Sequence, residues 1–422
     1  MLGVHPVFIP APIRGSSNSA LFFVQGAGQT SSRCGLKIVS QKLNFFDSAR
    51  YRQPALIPMR ITLLAVLLST AFVYAASEFD WTRARELAAR AQRGESLGEG
   101  DRQLLDEAAR RRKAGERPAG EEPAPPARPI ANLTPLTELK EPYYGHDGGL
   151  YGAGQNDPPP AQAALAARAI AQIRPLDAQG NPAPDGKIAL LSLGMSNATQ
   201  EFSVFVKKAN ADPRKAPQVV VVDGAQEGMD ATAWVTADAK PWTVVEQQLT
   251  AAHVSTRQVQ AVWIKQALKR PTRGFPGEAD ALRSRLRETV VIARQKYPNL
   301  RVAYLSSRIY AGYALSGLNP EPYAYESAFA VRGLIQEQMH DTPRLNADPA
   351  KGEIKAPVLL WGPYLWANGR TPRQGDGLTY AADEFAGDGI HPGNSAREKV
   401  ARLLLDFFTT NPLAKPWFTA PH

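Results

Sequence analysis

Residues 187–205 read KIALLSLGMSNATQEFSVF. Ile188 to Leu193 is an apolar run of strand length, Gly194 breaks it, and a helical pattern starts at Thr199. A strand, a tight glycine turn and a helix N-terminus predict a Ser196 hydroxyl at the carboxyl edge of a sheet, where open α/β folds bind ligands. The first N–H groups of such a helix lack intrahelical partners and favour an anion. Two readings of Ser196 follow. It either N-caps the helix, or it is a nucleophile beside ready-made oxyanion donors.

Outward from this stretch the chain alternates. Helical patterns cover 161–173, 199–209, 242–252, 277–296, 323–339 and 395–408. Between them lie apolar strand-length runs at 188–193, 218–222, 259–264, 300–305 and 356–360. Five apolar strands interleaved with helices predict one parallel sheet covered on both faces. Right-handed crossovers then give a three-layer α/β/α sandwich over 161–412.

The strand ends collect polar residues: Ser196 and Asn197, then Asp223-Gly224, then Lys265-Gln266, then Arg308 and Tyr310, then Trp361 and Tyr364. Just before the last helix comes Asp388-Gly389-Ile390-His391-Pro392. A serine needs a base within hydrogen-bond reach, and the base needs an orienting partner. Of the six histidines, His5 lies in the N-terminal extension, His422 is terminal, and His253 and His340 end helices. His391 remains, with Asp388 three residues earlier. In a turn Asp388 reaches back to the imidazole, and Pro392 suits the start of a helix. The rival reading of this pair is a turn that caps the last helix. Acyl transfer also needs oxyanion donors. The Ser196 and Gly224 N–H groups qualify, with the Gln266 or Asn197 amide as a third donor.

This arrangement resembles the SGNH, or GDSL-type, hydrolase superfamily. The resemblance rests on GMSN at 194–197, DGA at 223–225 and DGIHP at 388–392, and covers about residues 160–412. It implies a flavodoxin-like fold, catalytic Ser196, Asp388 and His391, an oxyanion glycine at Gly224, and a metal- and cofactor-independent ester hydrolase. Two positions depart from the family pattern. Met195 stands where GDS has Asp, and WIKQA replaces the third block, so Gln266 is carried across for the oxyanion amide. Carbohydrate or cell-envelope glycan acyl esters, acetyl esters above all, are the expected substrates. The alternative is a catalytically weakened relative that binds glycan. Arg308, Tyr310, Trp361 and Tyr364 are the expected substrate contacts. Arg308 is read equally as an ion-pair partner of Glu326, Trp361 and Tyr364 equally as core, and Lys265 equally as solvated surface. No G-x-G-x-x-G or P-loop pattern supports a nucleotide-binding domain.

The chain has 422 residues and a formal charge of +9, of which the first 60 residues hold +6. With no run of basic residues interleaved with aromatics, the charge is not that of a nucleic-acid binder. Cys34 is the one cysteine, so the rest of the chain forms no disulfide or Cys-based zinc site. Met59-Arg60 followed by ITLLAVLLSTAFVYA reads as a signal peptide, 59–75, cleaved after Ala75. Residues 1–58 are then expected to be a mistranslated or disordered extension, and the mature form to be exported and off the membrane. Residues 76–115 read as a helical hairpin, 116–131 as a Pro-rich linker, and 413–422 as a C-terminal tail. The Tyr/Gly-rich segment 132–160 is expected to pack on the domain, with His146 as a candidate substrate contact.

Overall fold

In a computed structural model, the structure describes residues 79–92, 95–114, 116 and 133–420. The expected extension, signal peptide and most of the linker lie outside the described residues. Among the described residues, no helix is long and apolar enough to cross a membrane.

Two helices come first, α1 (Trp81–Gln92) and α2 (Glu99–Lys113). They pack on each other, and Ala84, Leu87, Leu97 and Ala108 are buried. The helix α3 (Pro160–Ile170) opens the α/β region, with proline at its first position.

Five strands follow: β1 (Ile188–Gly194), β2 (Val219–Asp223), β3 (Val259–Lys265), β4 (Val302–Ser306) and β5 (Val358–Trp361). All pair in parallel, in the order β2-β1-β3-β4-β5. This flavodoxin-like order reverses direction at β1, the switch point beyond whose carboxyl ends open sheets of this kind bind ligands. The strands are largely apolar because both faces are covered, with their polar residues mostly at the carboxyl ends. All seven residues of β1 are buried.

The crossover helices are α4 (Ser196–Ala211), α5 (Lys240–Ala251), α6 (Gly277–Lys296) and α7 (Tyr323–Met339). The closing helix α8 (Asn394–Thr410) packs on α4, while α6 packs on α7. Stacked rings fasten the first pair: Phe205 lies 5.5 Å from Phe408, and Phe408 lies 5.1 Å from Phe418. Phe418 belongs to α9 (Lys415–Phe418). The stretch read as a tail therefore completes the core through residue 418, because burying Trp417 and Phe418 closes the α4–α8 layer.

The segment 133–157 packs on the domain through specific anchors. Trp361 Nε1–H donates to the Leu150 carbonyl at 2.6 Å, and the Leu136 N–H donates to Tyr364 Oη at 3.0 Å. Arg332 donates to the Asp147 carbonyl at 2.6 Å.

Candidate active site

Helix α4 begins at Ser196, three residues before the apolar pattern does. Met195 is its N-cap, extended at φ −100°, and makes no side-chain cap bond. Ser196 is thus the first helical residue, and its hydroxyl is not used to cap the helix. Gly194 is required where strand becomes helix: a Cβ there would lie 2.4 Å from Ala198 Cβ and 2.6 Å from the Lys265 carbonyl oxygen.

Ser196 Oγ lies 2.8 Å from His391 Nε2, and His391 Nδ1 lies 2.5 Å from Asp388 Oδ2. The other carboxylate oxygen, Oδ1, accepts the Ile390 and His391 N–H groups, both at 3.0 Å. Gly389 sits at φ +67°, and a Cβ would meet the Tyr313 carbonyl oxygen at 1.8 Å, so only glycine fits this turn. Asp388 is pulled two ways. Burial raises its carboxyl, but the His391 hydrogen bond and charge, with the two backbone N–H donors, hold it below the ordinary value. An ionised Asp388 fixes the proton on Nδ1 and turns the Nε2 lone pair toward Ser196.

Three consecutive carbonyls around the imidazole are held. The Ile390 carbonyl accepts Asn197 Nδ2–H at 3.0 Å, and the His391 carbonyl accepts the Ala386 N–H at 2.8 Å. The Pro392 carbonyl accepts Arg397 Nε–H at 2.7 Å. Asn197, weighed in the sequence as an oxyanion donor, is therefore engaged in positioning the histidine turn.

Gly224 needs a similar correction. Its N–H donates to Ser192 Oγ at 3.0 Å, beside the Ala225 N–H at 3.1 Å. Ser192 Oγ donates in turn to Asp223 Oδ1 at 2.5 Å, and Thr199 Oγ1 donates to Asp223 Oδ2 at 2.7 Å. This network ties the end of β2 to the first turn of α4. Burial pushes the Asp223 carboxyl up to about 6, against the hydrogen bonds that hold it down.

Gln266 is buried, and neither amide atom has a hydrogen-bond partner. It follows Lys265, which pairs in register with Gly194. Lys265 is no surface residue. Its ammonium and the Glu201 carboxylate are fully buried and bonded to each other, with 2.6 Å from Nζ to Oε1. Burial lowers the ammonium to about 8 and raises the Glu201 carboxyl, while their attraction opposes both shifts.

Trp361 and Tyr364 follow the core alternative. Trp361 and Tyr364 are buried and bonded to the 133–157 segment, and Tyr310 packs against Tyr313 and Trp366. His146 packs edge-on against Phe275 and Phe329. Glu326 accepts the Tyr143 hydroxyl at 2.7 Å, while Arg308 Nε and Nη2 have no hydrogen-bond partner.

The sequence reading missed Ser192, Thr199, Glu201 and Arg397. A signal existed for one of them: Glu201 shares a helical face with Ala198, Phe202 and Phe205, and a charge on a buried face implies a partner. Among the described residues, no group of three or more His, Cys, Asp or Glu side chains could hold a metal ion.

No protein-family profile matches the chain, and no curated protein does. Among solved structures, the chain is similar to a candidate acylhydrolase from Bacteroides fragilis, at 10% identity and a TM-score of 0.31, covering 59% of this chain and 97% of that one. It is also similar to the periplasmic domain of a lipopolysaccharide acetyltransferase from Salmonella ser. Paratyphi A, at 13% identity and a TM-score of 0.29, covering 53% of this chain and 83% of that one.

Proposed function

We propose that this chain is an exported, SGNH-like serine esterase that removes small acyl groups, acetyl above all, from a carbohydrate or cell-envelope glycan. The observation that carries the proposal is the continuous chain Ser196–His391–Asp388, with gaps of 2.8 and 2.5 Å. His391 Nε2 takes the Ser196 proton as Oγ attacks the ester carbonyl. Asp388 holds the imidazole and stabilises its cationic form. The Ser196 N–H and the unengaged Gln266 amide receive the oxyanion, with the dipole of α4 behind them. The alcohol departs with the proton from His391. Water, deprotonated by His391, then releases the acid from the acyl-enzyme.

The test is hydrolysis of p-nitrophenyl acetate and a panel of acetylated sugars by wild type, Ser196→Ala and His391→Ala. Each substitution is expected to lower kcat by about 10³- to 10⁶-fold. Wild-type turnover in Ser196→Ala removes Ser196 as nucleophile.

One observation favours the second reading, a weakened relative that binds glycan. With the Gly224 N–H and the Asn197 amide engaged elsewhere, the oxyanion site has fewer donors than the family pattern supplies. A wild type inert on every ester yet binding the deacetylated sugars decides for it. Export is tested by N-terminal sequencing of extracytoplasmic protein, expected to begin near Ala76.

A further inference from the structure

Three arginines in this molecule grip a carboxylate with one edge, Nε together with Nη2. Arg287 holds Glu337 that way at 2.7 and 2.6 Å, and Arg214 holds Asp212 at 2.9 and 2.7 Å. Arg373 holds Asp376 at 2.8 and 2.5 Å. The fork matches two carboxylate oxygens in one plane.

Arg308 breaks this rule. Among the described residues it is the one arginine whose Nε and Nη2 are both buried without a hydrogen-bond partner. The residue as a whole is 2% exposed. It lies two residues past the end of β4, and its own N–H is fixed by Ser327 Oγ at 3.0 Å. The loop that follows it packs on the histidine turn, where the Leu315 N–H donates to the Asp388 carbonyl at 3.0 Å. Lys265 pairs in register with Ser306, so Gln266 and Arg308 emerge from neighbouring strand ends.

The carboxylates around Arg308 do not fill its fork. Glu201 is bonded to Lys265. Glu321 accepts N–H groups from Ala311 at 3.0 Å, Tyr325 at 2.9 Å and Trp366 at 2.7 Å. Asp388 is bonded to His391 and to two backbone N–H groups. These three anions attract the guanidinium through space and keep a buried cation tolerable. Its directional donors stay unmatched, which is unfavourable for a buried charged group.

We infer that the Nε/Nη2 edge of Arg308 is a receptor for a carboxylate on the ester substrate, set beside Ser196 at the β3–β4 strand ends. This rests on the esterase reading and sharpens it: the substrate is an acidic ester. The carboxylate sits either on the acyl group, as in a hemisuccinate, or on the alcohol, as in an acetylated uronic acid. In a water-poor site a bidentate contact of this kind discriminates strongly against a neutral analogue.

The experiment uses the full chain and two matched pairs of esters. One pair is p-nitrophenyl hemisuccinate against p-nitrophenyl butyrate, and the other is O-acetylglucuronate against O-acetylglucose. Wild type is expected to favour the acidic member of one pair by about 10- to 100-fold in kcat/KM. The pair that responds places the carboxylate on acyl group or alcohol. Arg308→Gln is expected to abolish the preference, and Arg308→Lys to restore only part of it, since a point charge lacks the fork. Equal rates within both pairs, as when water alone satisfies Arg308, overturn the inference. So does a preference that survives in folded Arg308→Gln.

Binding supplies a readout that needs no turnover and no variant of Arg308. By calorimetry, Ser196→Ala protein is expected to bind glucuronate over glucose, or methyl hydrogen succinate over methyl butyrate. No preference in either pair overturns the inference. Hydrolysis of neutral and acidic esters at equal rates sinks the carboxylate receptor and leaves the esterase. Arg308-dependent binding of acids by a wild type that cleaves no ester sinks the esterase and leaves the receptor.

Discussion

The carboxyl edge of the sheet has two unlike halves. On the β1–β2 side nearly every polar group is bonded to another: Ser192 to Gly224, Ala225 and Asp223, Thr199 to Asp223, and Asn197 to Ile390. On the β3–β4 side, Gln266, Ser307 and Arg308 keep buried donors or acceptors with no partner. The difference separates two tasks. On the proposed esterase reading, bonded groups hold Ser196 and His391 in place, while unbonded ones are left for atoms that a substrate would bring. The Lys265–Glu201 pair joins the halves, since it links β3 to α4.

Breaking that joint is expected to have the largest effect on stability. Lys265→Met leaves Glu201 buried and unpaired, at a cost of about 3–5 kcal/mol in urea unfolding. The double variant Lys265→Met/Glu201→Leu should recover most of it, because apolar pairs replace buried ion pairs well. A single variant as stable as wild type refutes the joint.

Gln266→Ala sharpens the unbonded half. Its kcat is expected to fall about 10²- to 10³-fold, as for one lost oxyanion donor, with an unfolding midpoint equal to or above wild type. Loss of stability in step with activity would make Gln266 a packing residue instead.

Asp223 tests the bonded half through pH. Its carboxyl rises from the ordinary 3.8 to about 6, so the folded state holds a proton that the unfolded chain has released. The stability this group contributes is present below about pH 4 and lost as pH rises through 6, on the order of 3 kcal/mol for a shift of about two units. Asp388 has the opposite sign: its lowered carboxyl contributes stability at neutral pH that is lost as the solution is acidified. Asp223→Asn should flatten the unfolding free energy between pH 4 and 7, and an unchanged slope rejects the assignment.

The smallest effect is expected at Asn197. Asn197→Ala frees the Ile390 carbonyl and loosens the histidine turn, so kcat should drop about tenfold with KM unchanged. A change in KM alone would place Asn197 at the substrate.

Much of this was legible in the sequence, and the limits are physical. Two of the five crossover and closing helices, 277–296 and 323–339, match their observed bounds, because long periodic segments carry strong signals. Helix α4 was read three residues short because Ser196, Asn197 and Ala198 are not an apolar stripe, yet the turn at Gly194 starts the helix at once. For Trp361 and Tyr364 the sequence leaves substrate surface and core both open, because a position at a strand end says nothing about what covers it. The segment 133–157, two hundred residues earlier in the chain, covers them.

The sequence by itself determined the alternation of strands and helices, hence the parallel sheet, and it offered Ser196, Asp388 and His391 as candidates for one edge. These follow from periodicity and local turn chemistry, which act over a few residues. Only the tertiary structure decided which donors are engaged. That the Gly224 N–H goes to Ser192, that Lys265 is buried against Glu201, and that the Arg308 fork stays open all depend on contacts between separate strands. Hydrogen bonds are directional and short, so no spacing along the chain predicts which of several eligible partners the fold brings within 3 Å.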